Sequence, residues 1–127
     1  MWEKSVAQKL MIKPGYKVLF VNSPDGYEKI LGKLPENVDV LQNAERGIDF
    51  IQVFLSSQAE LEAHLNTLTP LLKPEGVFWV SYPKISSGVA ADINRNTINS
   101  YAAGIGLKGV AMIAVDNIWS ALRLKIL

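Results

Sequence analysis

KPGYKVLFVN, residues 13–22, and LKPEGVFWVSYPK, residues 72–84, are the two stretches that decide the fold. Each begins at a turn, because Pro14-Gly15 in the first and Pro74-Glu75-Gly76 in the second interrupt any preceding helix. Each then continues as a short run of mainly apolar residues. A short strand without polar alternation is typical of burial on both faces, as in a parallel sheet. We therefore predict two central strands of such a sheet.

Helices and strands alternate along the rest of the sequence. The apolar patterns predict strands at residues 17–22, 37–41, 48–55, 77–82, 109–115 and 119–127, and helices near residues 3–11, 26–34, 58–72 and 92–104. This order is typical of an α/β fold, namely an open, mostly parallel Rossmann-like sheet of about six strands with helices on both faces. The link between the last two strands, residues 116–118, is too short for a crossover, so we predict an antiparallel hairpin there.

Length and charge restrict the classes of function. The chain has 127 residues and a net charge of +1, and we predict one domain spanning residues 1–127. This charge gives no electrostatic reason to expect nucleic acid or a membrane as partner. With no cysteine and a single histidine, we expect no metal site. The first ten residues lack the apolar core of a signal peptide, and no apolar run is long enough to span a bilayer, so we predict a cytoplasmic location.

The order of the elements, the turn LKPEG and the closing hairpin resemble the core of class I S-adenosylmethionine (SAM) methyltransferases. The resemblance covers most of the chain and implies the fold. One part of that core is missing, because a SAM enzyme has a helix, a strand and a second helix where this chain has residues 42–47. These residues are too few for a parallel crossover. We therefore expect a truncated methyltransferase-like core.

The short link leaves two arrangements open for the strand at residues 37–41. The link can run extended along the sheet, which makes this strand parallel to its neighbour. Alternatively, the strand pairs antiparallel at the edge of the sheet. We favour the parallel arrangement.

A second resemblance rests on the polar segment after the fourth strand and on the end of the chain. The residues that carry it are Ser81-Tyr82-Pro83-Lys84, Ser86-Ser87-Gly88, Asp92, Arg95, Val115-Asp116 and Trp119-Ser120-Ala121-Leu122-Arg123. They resemble an uncharacterised bacterial domain family of about this length, with a methyltransferase-like fold and no assigned activity. The resemblance covers nearly the whole chain. It implies the fold and the importance of the polar loop, and it implies no reaction.

The elements that bind SAM in methyltransferases are weakened in this sequence. Their first strand is followed by a glycine-rich loop, whereas residues 22–26 contain one glycine and Pro24, which lacks a backbone donor. Their second strand ends in an acidic residue that holds the ribose, whereas this one ends at Leu41-Gln42. We therefore expect no resident cofactor, and SAM remains the alternative.

Ligands of open α/β sheets bind beyond the carboxyl ends of the strands, where the strand order reverses. This rule selects a set of polar residues after the first and fourth strands. The predicted ligand-binding residues are Asn22, Ser23, Asp25, Gly26, Tyr82, Lys84, Ser86, Ser87 and Arg95. The loop after the fourth strand offers a cation, two hydroxyls and a glycine before a helix, so it suits an anion. Helix capping or solvation of these polar residues is the competing explanation.

The sequence predicts no catalytic residue. His64 lies in the helix at residues 58–72, and we expect it at the surface, far from the carboxyl ends of the strands. Helix capping or turn formation accounts for Asp25, Asp92 and Asp116. A Ser-His-Asp triad would need His64, so we do not expect hydrolase chemistry.

Three further side chains are expected to serve packing. Gln52 interrupts an apolar strand, so we expect a buried amide that is hydrogen-bonded to a neighbour. Trp79 lies within the fourth strand and is expected in the core. Trp119 opens the last strand and is expected to pack on a helix or on another subunit.

These observations favour a non-catalytic module that binds a small anionic molecule or interacts with a partner. An active SAM-dependent methyltransferase with an atypical cofactor loop is the first alternative. The second is a structural subunit of a homo-oligomer or complex, associated through the C-terminal hairpin around Trp119.

Overall fold

A computed structural model describes residues 5–127. The helices are α1 (Val6–Lys9), α2 (Tyr27–Leu31), α3 (Gln58–Leu68) and α4 (Arg95–Gly104), with 3-10 turns at Thr69–Leu71 and Ile85–Ser87. The strands are β1 (Lys17–Val21), β2 (Asp39–Val40), β3 (Ile48–Phe54), β4 (Leu72–Pro83), β5 (Leu107–Ala114) and β6 (Trp119–Ile126). Residues 3 and 4 of the predicted first helix lie outside the described residues. None of the helices within residues 5–127 is both long and apolar enough to cross a bilayer.

The strands form one six-stranded sheet in the order β2-β1-β3-β4-β6-β5. The first four in this order are mutually parallel, and β6 runs antiparallel to both β4 and β5. The predicted α/β fold with about six strands and a closing hairpin is confirmed. The favoured parallel arrangement of β2 is also correct, because Lys17 and Val18 pair with Asp39 and Val40 in parallel.

The core has two layers, one on each face of the sheet. On one face α3 and α4 contribute Leu61, Leu65 and Ile98 to a cluster around the sheet. On the other face, α1 and α2 contribute residues to a cluster that contains Phe50 and Trp79. The Trp79 side chain is 1% exposed, and its Nε1 donates a hydrogen bond to the Leu10 carbonyl oxygen at 2.9 Å. The prediction that Trp79 belongs to the core is confirmed.

Several boundaries differ from those predicted. Helix α2 ends at Leu31 rather than at residue 34, because the glycine that follows, Gly32, has φ of 84° and this left-handed backbone stops the helix earlier. Strand β4 begins at Leu72 instead of Val77, because the turn residues extend the pairing with Ile48 of β3. Helix α3 ends at Leu68 and continues as the 3-10 turn that contains Pro70.

The starts of two helices also correct the prediction. Asp25 was expected to cap α2, but the N-cap position is Gly26, with φ of 74° and no side-chain hydrogen bond. Helix α4 starts at Arg95 rather than near Asp92, and its N-cap is Asn94, whose side chain accepts from the Thr97 backbone N–H. The N-cap of α3 is Ser57, whose hydroxyl accepts from the Glu60 N–H.

Candidate functional site

A cavity of about 640 Å³ opens beside the carboxyl end of β4. Four of the predicted ligand-binding residues line it together, which are Tyr82, Lys84, Ser86 and Arg95. Four further polar or apolar residues, on three other elements, also line the cavity and were not predicted from the sequence. They are Asn94 and Asn96 around the start of α4, Met112 of β5 and Ser120 of β6. The Met112 and Ser120 side chains lie beside this loop because β6 is hydrogen-bonded to β4 and β5 to β6.

The hairpin fixes the floor of the cavity. At the end of β4, Tyr82 and Pro83 pair with Ser120 and Trp119 of β6. The Lys84 backbone N–H then donates to the Ile118 carbonyl oxygen at 2.7 Å, which extends this attachment into the loop. The lining residues of the loop are therefore held by the backbone of a neighbouring strand.

Ser87 shapes the loop and does not line the cavity. Its hydroxyl donates to the Lys84 carbonyl oxygen at 2.6 Å and accepts from the Val89 N–H at 3.1 Å. These two bonds close the 3-10 turn that ends at Gly88, where φ is 76°. Gly88 is one position where the backbone conformation itself favours glycine. Ser87 thus supports the loop that presents Lys84 and Ser86.

The cavity is positively charged. Within residues 5–127 the salt bridges are Lys17–Glu45 and Lys73–Asp49, so neither Lys84 nor Arg95 is paired with a carboxylate. None of the residues that line the cavity is acidic. Two free cations beside each other repel, and an anion placed between them would relieve that repulsion.

Tyr82 gives the cavity a buried phenol. Burial raises the pKa of the Tyr82 hydroxyl above its ordinary value, and the positive charge of Arg95 opposes part of this effect. The hydroxyl donates to the Met112 Sδ at 3.1 Å. At neutral pH, Tyr82 therefore presents an uncharged ring and a donor rather than a phenolate.

Asp92 connects this loop to a different helix from the one expected. Its carboxylate accepts from the Gln58 N–H at 2.6 Å, and its own N–H donates to the Ser56 carbonyl oxygen at 3.0 Å. The prediction that Asp92 caps the helix that follows it is wrong, because Asn94 occupies that position and Asp92 satisfies the first turn of α3 instead. The polar loop is thereby attached to the carboxyl end of β3.

The loop after β1 lies elsewhere on the same edge of the sheet. Asn22 has φ of 59°, and its Nδ2 lies 3.4 Å from both the Phe54 carbonyl oxygen and the His64 Nε2. The expectation that His64 lies far from the carboxyl ends of the strands is therefore wrong. Helix α3 starts directly after β3, so two turns, about 10 Å, bring His64 back over the end of β1. A helix pattern alone does not show which strand end lies below each residue.

Glu60 lies one turn before His64 and belongs to the capping of α3. The Ser56 N–H bond to its carboxylate is the main cause that lowers the pKa of Glu60 below its usual range. The Ser56 and Ser57 hydroxyls add further hydrogen bonds at 3.3 and 3.1 Å. Glu60 therefore remains ionised, and its carboxylate is occupied by hydrogen bonds at the N-terminus of α3.

Ser23 lines a separate cleft of about 360 Å³ between α2 and β2. The other polar residues of this cleft include Glu28 of α2 and Gln42, which follows β2. Asp25 and Gly26, both predicted to bind ligand, line neither this cleft nor the cavity beside β4. Of the nine predicted residues, four therefore line the cavity beside β4 and one lines this cleft, while Asn22, Asp25, Gly26 and Ser87 line neither. Glu28 was missed because its position on a short helix matches that of an ordinary solvated residue.

A buried chain of hydrogen bonds connects the two regions through β3. The Tyr27 hydroxyl donates to the Gln52 Oε1 at 2.6 Å, and the Gln52 Nε2 donates to the Ser81 Oγ at 2.8 Å. Gln52 and Ser81 are fully buried, so the prediction of a hydrogen-bonded buried amide at Gln52 is confirmed. Burial raises the pKa of the Tyr27 hydroxyl, against the effect of its hydrogen bond to Gln52.

Asp116 and Trp119, at the turn between β5 and β6, were also singled out in the sequence. The Asp116 carboxylate accepts from the N–H groups of Ile118 and Trp119, both at 2.8 Å, so its role in turn formation is confirmed. The Trp119 ring packs edge-to-face on Phe54 of β3, with the ring centroids 5.1 Å apart. This ring contact is made with a strand, within a cluster to which α1 and α2 also contribute, and packing of Trp119 on another subunit stays a prediction. In the described part of the chain, no three His, Cys, Asp or Glu side chains cluster as a metal site would require.

Solved structures of SAM-dependent methyltransferases share this fold. The ribosomal protein L11 methylase from Lactobacillus delbrueckii subsp. bulgaricus is 12% identical with a TM-score of 0.61, and the alignment covers 94% of this chain and 74% of that one. A SAM-dependent methyltransferase from Aquifex aeolicus is 15% identical with a TM-score of 0.65, over 96% and 88% of the two chains. The DhpI–SAH complex is 13% identical with a TM-score of 0.64, over 96% and 82%.

At these identities the similarity establishes the fold alone. No family model matches the sequence, and no curated protein matches it significantly. The chain therefore has a class I methyltransferase-like fold with a truncated core of six strands. The resemblance to a bacterial family without assigned activity stays a prediction.

Proposed function

We propose that this protein binds a small organic anion in the cavity beside β4. The observation that carries the proposal is a pair of cations, Lys84 and Arg95, in a cavity of about 640 Å³; among residues 5–127 neither has a carboxylate partner and no acidic residue lines the cavity. A guanidinium binds a carboxylate or phosphate through two parallel hydrogen bonds, and a lysine adds a point charge. The first turn of α4 contributes the positive end of a ten-residue helix beside Arg95.

The rest of the lining suits an apolar group attached to that anion. The Tyr82 ring, Pro83 and Met112 contribute apolar surface, and the Ile85 side chain is 94% exposed at the rim. An exposed isoleucine beside a cavity gains free energy when a ligand covers it. The proposed ligand is therefore an amphipathic anion, such as an aromatic or aliphatic carboxylate or phosphate ester.

The proposed role is binding rather than catalysis. Neither a histidine nor a carboxylate is among the described residues that line the cavity, and the Tyr82 hydroxyl is protonated at neutral pH, since its pKa is ordinarily about 10 and burial raises it further. General acid-base catalysis usually needs a group whose pKa lies near the working pH. The lining offers charge, hydroxyls and amides, which are the groups of a binding site.

Isothermal titration calorimetry with benzoate and phenyl phosphate tests this proposal. We expect binding by the wild-type protein and an affinity at least about ten-fold weaker in the Lys84→Gln/Arg95→Gln variant, since two charged hydrogen-bond donors are lost. The matched control is Lys29→Gln/Arg46→Gln, which removes an exposed lysine and an exposed arginine outside the cavity. Equal affinities of all three proteins, or no binding by the wild type, would contradict the proposal.

SAM binding is the second candidate function, supported by the cleft between α2 and β2. In this fold the cofactor binds at the carboxyl ends of the first two strands, and the DhpI neighbour was solved with SAH. Glu28 supplies a carboxylate in this cleft, and Ser23 and Gln42 supply a hydroxyl and an amide. These residues fit the ribose and amino-acid portions of SAM, whose bound form would supply an electrophilic methyl group.

Calorimetry with SAM and with SAH tests the second candidate. Micromolar binding that Glu28→Gln weakens about ten-fold, while Glu36→Gln leaves it unchanged, would support it. Glu36 is the matched control because it is an exposed glutamate outside this cleft. If neither compound binds at millimolar concentration, the methyltransferase candidate fails and the anion proposal is unaffected.

A further inference from the structure

Strand β5 forms an open edge of the sheet. It is eight residues long and, among the described residues 5–127, pairs only with β6, so within this part of the chain one row of its backbone N–H and C=O groups has no strand beside it. Val110 and Met112 of this strand are 46% and 50% exposed. Edge strands of this length are normally protected by charges, prolines or a covering element, and β5 has Lys108 as its only charged residue. The edge therefore suits an additional strand.

A groove runs along this edge beside α4. A hollow of about 330 Å³ is lined by Asn99 of α4, by Gly109 and Ala111 of β5 and by Leu122 of β6, so it extends from this strand onto the α4 face of the sheet. It shares Arg95, Asn96 and Met112 with the cavity beside β4, so the two form one continuous groove. Gly109 permits the close packing here, because a Cβ at that position would clash with the Asn99 side chain. The groove thus combines a helix, an open strand edge and a cationic end.

We propose that this groove binds the extended carboxyl-terminal segment of an acidic polypeptide, which adds to β5 as a further strand. The terminal carboxylate of the segment lies between Lys84 and Arg95. Strand β5 runs from Gly109 towards Met112 and hence towards the cavity, so the added segment is parallel to β5. The inference rests on the proposed anion site and names the partner of that site. Backbone hydrogen bonds to β5 would hold the added strand, and binding of its terminal carboxylate would fix which of its residues lies opposite each residue of β5.

The positive charge at the β5 edge favours an acidic partner over a second copy of this chain. Lys108 of β5 lies directly opposite Lys125 of β6, and neither belongs to a salt bridge within residues 5–127. Like charges at opposed positions of a sheet are destabilising. A second copy would bring a further Lys108 and Arg95 to the same edge, whereas an acidic side chain near the start of the added strand would neutralise Lys108.

An NMR titration tests the inference with a synthetic peptide, acetyl-Glu-Val-Thr-Val-Thr-Val, that has a free terminal carboxylate. We expect it to shift the amide resonances of residues 107–114 and of Arg95. The same peptide with an amidated terminus is expected to bind at least about ten-fold more weakly, because Lys84 and Arg95 lose their anion. Replacing its glutamate by lysine is expected to weaken binding several-fold.

A charge exchange supplies the second measurement. Lys108→Glu is an exposed substitution outside the cavity, so we expect it to leave benzoate affinity unchanged and to reverse the preference between the glutamate and lysine peptides.

If benzoate binds but neither peptide shifts the amide resonances of β5, or if the free and amidated peptides bind equally, the inference is wrong and the anion proposal stands. If benzoate and both peptides fail to bind, both proposals fail. A dimer by light scattering that the peptide does not dissociate would assign the edge to a second copy and overturn the inference.

Discussion

The loops after β1 and after β4 lie on the same edge of one sheet and differ in charge. The loop after β1 borders a cleft of about 360 Å³ whose charged lining residue is the carboxylate Glu28. The loop after β4 borders a cavity of about 640 Å³ whose charged residues are Lys84 and Arg95. A single α/β edge can therefore present two sites of opposite charge, because the end of each strand is lined by residues of a different helix.

Between the two loops lies β3, and it connects them physically. Tyr27 follows the first loop, Ser81 precedes the second, and Gln52 of β3 is hydrogen-bonded to both. The two sites are chemically separate but share one buried polar element.

Gln52→Leu is expected to have the largest effect, a loss of about 2–4 kcal/mol in the free energy of unfolding, because it leaves the buried Tyr27 and Ser81 hydroxyls without partners. Urea denaturation measures it. In the Gln52→Leu/Tyr27→Phe/Ser81→Ala variant we expect most of the loss to be recovered, because no buried polar group remains unpaired. A loss below about 1 kcal/mol in the single variant would show that the two regions do not depend on this connection.

The same connection predicts a dependence on alkaline pH. The pKa of Tyr27 is raised by burial, so the folded protein retains a proton that the unfolded chain releases near pH 10. Stability is therefore fully present below about pH 10 and falls as the pH rises above it. Thermal unfolding between pH 8 and 11 measures this fall. We expect Tyr27→Phe to reduce it, with Tyr82 contributing the remainder, and an unchanged slope would contradict this account.

Asp92→Ala is expected to lower the unfolding free energy by about 1 kcal/mol, because the first turn of α3 loses its hydrogen bond from the Gln58 N–H to this carboxylate. Thermal denaturation measures this effect on the β4 side. Asp25→Ala is the matched control on the β1 side, where no side chain caps α2. We expect that control to lie within about 0.5 kcal/mol of the wild type. Equal losses in the two variants would remove this difference between the loops.

Ser23→Ala is expected to have the smallest effect, a change of less than about two-fold in benzoate affinity, because Ser23 lies in the other cleft. Ser86→Ala removes a hydroxyl from the cavity itself, and we expect an affinity about five-fold weaker. Calorimetry compares the two. If both serines mattered equally, the two regions would form one binding site.

Much of the fold was predictable from the sequence because local patterns specify it. The apolar residues of Ile48–Phe54 and the leucines at residues 61, 65 and 68 have the periodicities of a buried strand and an amphipathic helix. The short turn between β5 and β6 permits only an antiparallel pair. These signals need no knowledge of distant residues.

The candidate site was predictable only in part, because it depends on contacts between distant residues. The order of elements placed Tyr82, Lys84 and Ser86 at a strand end, but Met112 joined them through the pairing of the hairpin with β4. The contact between His64 and Asn22 depends on the direction of α3 over the sheet. Asp92 was misassigned because a capping carboxylate serves whichever helix start lies nearest in space.

The position of β6 between β4 and β5 has a consequence for how the chain folds as it is synthesised. Strand β5 precedes β6 in the sequence, yet it reaches the sheet only through β6. While the ribosome still holds residues 119–126, β5 has no strand to join, and the edge of β4 that contains Trp79 and Val80 lacks its neighbour. The parallel half can assemble early, whereas the cavity beside Lys84 forms only after the last strand has left the exit tunnel. A nascent chain stalled before Trp119 would expose an aggregation-prone strand, so this half of the sheet folds only once β6 is available to pair.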